Sequence, residues 1–345
     1  MIKPIIQSFY QRISQQKNRL GNIFQPRAVV LLYHRINEFR PDPQLICTSP
    51  AHFEQHLKII QEYYHPISLA QLGEGIQNKD LPRNSVVITF DDGFADNLWN
   101  AAPLLEKFGI PATIFVTSGF IDQPAEMISD VLEHILLGMD TPLKTLEIQV
   151  NDKMIRWNLD DPSPRPATWN VQSGSDPNLR QRCYREIHRL MRSLQPEERQ
   201  NILSQLFVWA NCTEKYRPER RIMNSEELRN ISRSGLIEIG AHTISHPMLA
   251  KQSSSLQQQE ISGSREQLEK ILGHRVTSFA YPYGGSDAVD ARTIGYVKAA
   301  GFRIACDNVP GTVGYRTDLF GLPRSLVRDW DNKTFYKQLK YAFLK

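Results

Sequence analysis

SVVITFDDGFADN, residues 85–97, places two acids side by side at the end of an apolar run. The run itself, residues 85–90, is rich in β-branched residues and is typical of a buried strand. Asp91 and Asp92 would then stand at the carboxyl end of that strand, and Gly93 allows a tight turn after them. In α/β sheets ligands bind at the carboxyl ends of strands, so this pattern predicts a site for chemistry.

The same order of strand and helix repeats along most of the chain. Short apolar runs alternate with helical patterns, as in the strand at residues 28–34 and the helix at residues 49–64, which Ser49 would cap. This alternation predicts an α/β fold whose parallel sheet is either open or closed into a barrel. Residues 122–221 interrupt it and predict a mostly helical insertion with one hairpin, which would serve as a lid or as a partner surface.

Composition and charge exclude several classes of protein. Lys and Arg number 41 against 37 acids, a net charge of +4, which is too balanced for a nucleic-acid groove. The four cysteines form no Cys-x-x-Cys pair, which argues against a disulfide framework and a thiolate metal site and favours a reducing compartment. No stretch approaches the roughly 20 apolar residues of a membrane span. We therefore expect a cytoplasmic protein that binds no nucleic acid and has no membrane span.

The first residues carry a pattern of their own. Residues 1–27 form a basic amphipathic segment, in which residues 1–24 contain four basic side chains and no acid. Such a pattern suits peripheral contact with an anionic membrane surface, although a helix packed on its own domain is the commoner use. The rest of the chain, residues 28–345, is expected to form the α/β domain together with its insertion.

Two further motifs carry reactive side chains at predicted strand ends. In GAHTISHPML, His242 is the last residue of the predicted strand LIEIGAH, and His246 follows four residues later. FAYPYGG ends another strand and contributes Pro282 and Tyr283. Because ligands gather at the carboxyl ends of parallel strands, we expect both motifs to face the same site as the aspartate pair.

The histidine pair and the aspartate pair together predict a metal site. Two histidines at i and i+4 face one point if the segment turns helically, and a neighbouring carboxylate completes a His–His–Asp set with positions open for water. One aspartate would bind the metal and the other would stay free as a base. Taken singly, Asp-Asp-Gly is often a turn and a spaced histidine pair is often a surface accident, but their joint occurrence favours the metal site.

These motifs resemble those of a known family. TFDDG, HTxxHP and YPYG are similar, in this order, to the first three motifs of the polysaccharide deacetylases, the carbohydrate esterases with the NodB homology domain. The resemblance implies a distorted (β/α) barrel of about seven strands, fewer than the eight of a regular barrel. It also implies that Asp92, His242 and His246 bind a divalent metal, usually Zn²⁺, and that Asp91 is the catalytic base.

The resemblance further implies a reaction and a substrate. Metal-activated water would attack the carbonyl of an N-acetyl, or less commonly O-acetyl, group while Asp91 accepts a proton. The Pro282–Tyr283 turn would bind the oxyanion through the backbone N–H of Tyr283. The expected enzyme is a metal-dependent carbohydrate deacetylase, a hydrolase of C–N bonds other than peptide bonds. Its partner would be an acetylated amino-sugar glycan or glycan precursor.

Two departures from the family pattern change the expected site. Ala280 stands where family members have an arginine that orients the base, and the late motif LPRSL has Arg324 where an acidic histidine is common. We expect Arg324 to replace the missing arginine, because the last strand of a barrel lies near its first ones. We expect His34 to be the general acid, since it follows the first strand and its fragment LLYHRI resembles one in biofilm poly-N-acetylglucosamine deacetylases. A nearby carboxylate would raise its pKa and keep it protonated.

Two other functions fit the same residues. The departures at positions 280 and 324 would also suit an inactive carbohydrate-binding or scaffold protein, although the intact metal set argues against it. An insertion that closes over a small substrate would favour a C–N hydrolase of a non-sugar amide or cyclic ureide. Metal content separates the enzymes from the scaffold.

Overall fold

The computed structural model describes residues 26–139, 144–212 and 216–344. The amphipathic pattern of residues 1–24 lies outside these ranges, so the membrane contact stays a prediction. Within them, none of the helices combines the length and the apolar character needed to cross a membrane.

Most strands belong to one parallel sheet. The described residues form the strands β1 (Ala28–Tyr33), β2 (Arg35–Ile36), β3 (Cys47–Thr48), β4 (His65–Pro66), β5 (Ser85–Phe90), β6 (Ala112–Val116), β7 (Thr145–Val150), β8 (Lys153–Asn158), β9 (Ile237–Ala241), β10 (Ser278–Ala280), β11 (Ile304–Cys306) and β12 (Arg324–Leu326). The order in the sheet is β11–β10–β9–β6–β5–β1–β12, and β4 pairs with the start of β5. β1 and β5 are buried along their whole length, which explains their continuous apolar runs.

The two ends of this sheet approach each other. β12 pairs with β1, and the segment just before β12 bonds to the region of β11. Asp307 N donates to Leu322 O at 3.0 Å, and Leu322 N donates to Ala305 O at 3.0 Å. The result is a nearly closed seven-stranded parallel barrel. The predicted α/β class and the distorted (β/α) barrel are confirmed.

Helices follow most of the strands. They are α1 (Pro50–Tyr63), α2 (Leu69–Asn78), α3 (Ala102–Phe108), α4 (Ile128–Leu132), α5 (Leu179–Ser193), α6 (Pro196–Trp209), α7 (Ser225–Ser232), α8 (Ser254–Leu272), α9 (Ala291–Ala299) and α10 (Asn332–Ala342), with π-helical turns at Asn97–Ala101 and Glu133–Gly138 and 3-10 turns at Ser118–Phe120, Pro218–Arg220 and Leu249–Lys251. α1 begins as predicted, because the Ser49 side chain accepts a hydrogen bond from His52 N at 3.2 Å.

The segment predicted as an insertion builds a hydrophobic core of its own. α4, α5 and α6 pack with the antiparallel hairpin β7–β8 around side chains such as Leu132, Tyr184 and Leu206, all with no exposed surface. A separate core is what an inserted unit requires if it is to fold against the barrel without disturbing it. The predicted boundaries, residues 122–221, stay a prediction.

Candidate metal centre and catalytic cavity

The predicted site residues gather around the carboxyl ends of the barrel strands. Most follow a strand: His34 follows β1, Asp91 and Asp92 follow β5, His242 and His246 follow β9, and Pro282 and Tyr283 follow β10, whereas Arg324 begins β12 and reaches Asp91 with its side chain. In a parallel barrel these strand ends meet on one face. The fold therefore brings together residues that lie far apart in the chain.

Several residues at this face hold left-handed backbone conformations that non-glycine residues rarely adopt. They are Asp92 (φ 73°), Thr243 (φ 66°), His246 (φ 58°) and Tyr283 (φ 63°). Such conformations cost free energy for a residue with a Cβ and concentrate at functional sites. Gly93 also has a positive φ, 83°, and a Cβ there would lie 2.9 Å from the Val116 side chain. Only glycine fits the turn after the aspartate pair.

The loop from His242 to His246 does not form the helical turn that the spacing allows. Thr243 and His246 are left-handed instead, and Thr243 Oγ1 accepts a hydrogen bond from His246 N at 3.0 Å. Glu260 Oε2 accepts bonds from the backbone N–H groups of the next two residues after Thr243, both at 2.8 Å. The expectation of a helical turn is wrong, and the two rings converge, with centroids 5.0 Å apart, because side chains fix this loop.

Asp92, His242 and His246 form a compact donor set. Asp92 Oδ1 lies 3.7 Å from His242 Nε2 and 3.4 Å from His246 Nε2. One ligand atom from each of the three residues lies within 4.8 Å of the others. Asp92 Oδ1 is buried and accepts no hydrogen bond from any described residue. A buried carboxylate oxygen without a partner is costly unless a cation satisfies it.

The protonation of these groups fits a divalent cation. His242 Nδ1 lies 2.7 Å from Ala280 O, so Nδ1 donates and Nε2 keeps its lone pair on the side of Asp92. Burial lowers the pKa of His242 and of His246, which keeps both rings neutral. Burial and the neighbouring Asp91 raise the pKa of Asp92 well above its usual value, a penalty that a bound cation would remove. Two imidazole nitrogens and one carboxylate match the donors of catalytic zinc sites.

Asp91 stands beside this donor set and pairs with Arg324. Arg324 is fully buried, with Nη1 2.6 Å from Asp91 Oδ1 and Nη2 2.7 Å from Asp91 Oδ2. Arg324 Nε also donates to Asp307 O at 2.7 Å, which fixes the guanidinium on a second side. Burial would raise the pKa of Asp91, but Arg324 and His242 outweigh it and the pKa is lowered. Asp91 is therefore held as a carboxylate.

His34 lines the same cavity from the end of β1. Its Nδ1 is buried and has no hydrogen-bond partner among the described residues. Burial lowers the pKa of His34 to about 4, and Asp91 opposes this shift only in part. The expectation that a carboxylate keeps His34 protonated is therefore wrong, because desolvation of the imidazolium outweighs the attraction. The resting ring is neutral at neutral pH.

Tyr283 borders the cavity next to His246, and the two ring centroids are 4.7 Å apart. No described residue accepts a hydrogen bond from the backbone N–H of Tyr283, which leaves this donor available to a ligand. Pro282 is buried, and the guanidinium of Arg324 is bonded to Asp91. Neither residue is part of the described cavity wall. The geometry therefore does not support direct substrate contact by Pro282 or Arg324.

The cavity above the donor set has a volume of about 200 Å³, and both the barrel and the insertion line it. Its wall includes five residues within 122–221, the predicted insertion: Met127, Ile128, Ser129, His188 and Arg192. No sequence motif indicates any of them. α5 carries His188 and Arg192 among other basic residues, and no motif marks these two. Only the packing of α5 against the barrel selects them.

A second arginine of the predicted insertion holds the loop of the candidate metal site. Arg199 on α6 is only 3% exposed and donates to His246 O at 3.0 Å and to Ser245 Oγ at 3.0 Å. The insertion therefore supports the conformation of a predicted metal ligand as well as covering the cavity. The sequence contains no local signal for this contact, since more than forty residues separate its two ends.

Fold and site together define a (β/α)-barrel protein with a candidate divalent-metal site at the carboxyl ends of its strands. The model of the polysaccharide deacetylase family matches residues 78–138 and 198–305. The chain belongs to this family. The matched ranges contain the donor set and Asp91, and they contain neither His34 nor Arg324. The gap between the two ranges lies inside the predicted insertion.

Sequence similarity to a deacetylase of Escherichia coli covers only part of this chain. Poly-beta-1,6-N-acetyl-D-glucosamine N-deacetylase of Escherichia coli (strain K12) is 28% identical over 100 residues, which are 28% of this chain and 15% of that protein. The chain thus matches well under two thirds of that relative's length.

Two solved structures share the fold over nearly the whole chain. The Streptococcus pyogenes deacetylase PplD, in complex with acetate, has a TM-score of 0.57 and 17% identity, covering 91% of this chain and 99% of its own. A de-N-acetylase from Aggregatibacter actinomycetemcomitans has a TM-score of 0.55 and 16% identity, with coverage of 91% and 99%. At these identities the likeness shows the fold.

Proposed function

We propose that this protein is a metal-dependent hydrolase that removes N-acetyl groups from an amino-sugar-containing glycan or glycan precursor. The observation that carries the proposal is the meeting, in one cavity, of a buried Asp–His–His donor set and a second carboxylate, Asp91, kept out of it by Arg324. Membership of the polysaccharide deacetylase family and the named activity of the Escherichia coli relative support the acetylated sugar as substrate.

In this proposal Asp92, His242 and His246 hold the metal, and the donor types favour Zn²⁺. When bound, a divalent metal lowers the pKa of water and polarises a carbonyl oxygen. The chain's own contribution is to orient these donors: Ala280 O fixes the tautomer of His242, and Thr243 and Arg199 fix the loop of His246.

Asp91 would act as the general base that accepts a proton from the attacking water. Its bidentate contact with Arg324 fixes the orientation of both carboxylate oxygens and keeps the group ionised, as a base requires. A carboxylate with a low pKa is a weak base. Its effect would therefore come from its position and from the lower pKa that a metal held by the donor set would give the attacking water. Arg324 is in this account a positioning residue.

The backbone N–H of Tyr283 would donate to the oxyanion that forms when water attacks the acetyl carbonyl, because it is unused and borders His246. His34 would be the proton donor to the departing amine. Since its resting ring is neutral, it would first take up the proton that Asp91 removes from water and then pass it to the nitrogen. The proton count closes, with one proton leaving water and one reaching the amine.

As part of the same proposal, the enzyme works in the cytoplasm. Among the described residues no disulfide forms, and the cysteines at positions 47, 183, 212 and 306 are all buried, as is usual in a reducing compartment. Peripheral membrane contact through residues 1–24 would bring the enzyme to membrane-linked glycan precursors. Fractionation of cells that produce the tagged protein tests both points, and a periplasmic or secreted pool would contradict them.

Metal content and acetate release test the proposed function together. Purified protein should hold one equivalent of zinc and release acetate from N-acetylglucosamine oligomers, and a chelator should abolish both until zinc is returned. His242→Ala should lose most of its metal affinity with the fold intact. His188→Ala is the matched control, because His188 lines the same cavity outside the donor set and should keep the metal. Full acetate release by metal-free protein would contradict the proposal.

A further inference from the structure

Arg192 introduces a positive charge into the wall of the candidate active site. It lies near the end of α5, and its backbone carbonyl accepts a hydrogen bond from Met248 N at 3.2 Å, which ties this end of the insertion to the segment after His246. Its guanidinium stands over the ring of Tyr283, with Cζ 4.3 Å from the ring centroid. Since the Tyr283 ring in turn neighbours His246, one side chain separates the guanidinium from a predicted metal ligand.

This guanidinium has no acidic partner among the described residues. Its Nε is buried without a hydrogen bond, and the ring of Tyr283 is the contact that its cationic group makes there. Two other arginines of the predicted insertion have acidic partners: Arg185 lies 2.7 Å from Asp176, and Arg217 lies 2.7 Å from Glu126. An arginine that faces a cavity without a counter-charge is suited to a ligand that brings one.

The rest of the cavity leaves this charge uncompensated. Its described wall contains two acids, Asp91 and Asp92. Arg324 neutralises Asp91 through two short contacts, and Asp92 belongs to the donor set. Neither carboxylate is therefore free to pair with Arg192. An anion that enters the cavity meets a positive charge with no competing acid beside it.

We infer that Arg192 binds an oxyanion, a phosphate or a carboxylate, carried by the acetylated sugar close to the acetyl group that is removed. The inference rests on the proposed function and narrows its substrate to an anionic amino sugar. A guanidinium stacked on an aromatic face keeps its N–H donors at its edge, where they match the two oxygens of a phosphate or carboxylate. The Tyr283 ring lies between them, 4.3 Å from Arg192 Cζ and 4.7 Å from the His246 ring, so an oxyanion on Arg192 would lie near the predicted metal ligand.

Acetylated amino sugars with and without an anion test this inference. Acetate release is measured from methyl N-acetylglucosaminide, N-acetylglucosamine 1-phosphate and N-acetylmuramic acid, which carry no anion, a phosphate and a carboxylate respectively. We expect kcat/KM to favour at least one anionic sugar over the neutral one by about tenfold or more. The preferred arm identifies the source of the oxyanion.

Two variants assign the preference to one side chain. Arg192→Gln should bring the ratio of anionic to neutral kcat/KM close to one. Arg189→Gln, on the same helix but exposed and away from the cavity wall, removes the same charge and should keep the ratio. A wild-type enzyme with no preference for either anion, or an Arg192→Gln enzyme with an unchanged ratio, would overturn the inference.

A binding measurement keeps this test separate from the proposed function. If the protein releases acetate from none of the three sugars, calorimetry with N-acetylglucosamine 1-phosphate and N-acetylmuramic acid decides the matter. Loss of about tenfold in affinity in Arg192→Gln, with Arg189→Gln unchanged, would support the oxyanion site while the deacetylase proposal fails. Equal affinity in both variants would overturn the site itself.

Discussion

Arg324, at the start of the last barrel strand, forms a bidentate ion pair with Asp91, at the end of β5, with contacts of 2.6 and 2.7 Å. The family arginine expected at position 280 is absent, and Ala280 is buried in β10. β12 and β5 both pair with β1, so an arginine on β12 reaches across one strand to the carboxylate. The contact that the resemblance predicted for an arginine at position 280 is made here by Arg324 on another strand of the barrel.

Arg324→Lys should lower turnover by about tenfold or more while zinc content stays the same. Lysine keeps the charge but cannot form the bidentate contact with both oxygens of Asp91. The carboxylate is then no longer held in the orientation that a general base requires. Acetate release and metal content are measured on the same preparation. Arg303→Lys is the control, because Arg303 is exposed next to β11 and should behave as the wild type. Normal turnover in Arg324→Lys would show that the pair is only structural.

Asp91→Asn should lower turnover by about 10² or more with the metal still bound. Asparagine keeps the shape and some hydrogen bonding but cannot accept the proton of water. Asp92→Asn is the control, since it should lose the metal together with turnover, whereas Asp91→Asn should lose turnover alone. Normal hydrolysis by Asp91→Asn would remove Asp91 from the mechanism.

His34→Ala should lose most turnover on N-acetyl substrates and far less on an activated aryl acetate. The amine leaving group needs a proton, whereas an aryloxide leaves without one. His188→Ala, in the same cavity, should affect the two substrates alike if it only shapes the wall. An equal loss on both substrates in His34→Ala would indicate a binding role, and unchanged amide turnover would exclude His34 as the acid.

The sequence predicts the barrel, and it predicts that the two aspartates and the two histidines lie close together, because both depend on local patterns. Runs such as β5 are continuous and apolar since both faces of a barrel strand are covered, and the acids directly after β5 keep their place at its end. The pairing of Arg324 with Asp91 also follows from the closure of the barrel. These features require only strand order and position within a strand.

Features that depend on packing between distant segments cannot be predicted from the sequence. The left-handed turns at Thr243 and His246 carry no glycine, so nothing in the motif indicates them. The pKa of His34 is lowered by burial in the folded chain, which outweighs the neighbouring carboxylate. Arg192 is one of five arginines in α5, and only the docking of that helix on the barrel places it in the cavity.

His56 should make the protein less stable as the pH falls from 6.5 towards 4. Its ring stacks on Phe335 and bonds to Trp330 O at 2.7 Å, and burial lowers its pKa from 6.5 to about 4. Between these values the unfolded chain binds a proton that the folded chain does not, so stability rises with pH through this window and is lost below it. The full effect is about 3 kcal/mol at the acid end.

Urea unfolding of wild type and His56→Gln at pH 7, 5.5 and 4.5 measures this effect. Glutamine does not titrate, so the variant should lose less stability on acidification even though it begins less stable at pH 7. His274→Gln, at an exposed histidine, should follow the wild-type curve. Identical pH dependence in wild type and His56→Gln would mean that the pKa of His56 is the same in the folded and the unfolded chain, and it would contradict the prediction.

Arg199→Met should weaken zinc affinity by about tenfold, although Arg199 touches no metal ligand atom. The change keeps the length and packing of the side chain but removes its bonds to His246 O and Ser245 Oγ, which hold the strained backbone at His246. Zinc affinity is measured by competition with a chromophoric chelator, beside the melting temperature. Gln200→Met, exposed on the next position of α6, is the control and should keep its zinc. A lower melting temperature with unchanged zinc affinity would make Arg199 a purely structural contact and would leave the insertion without a part in the metal site.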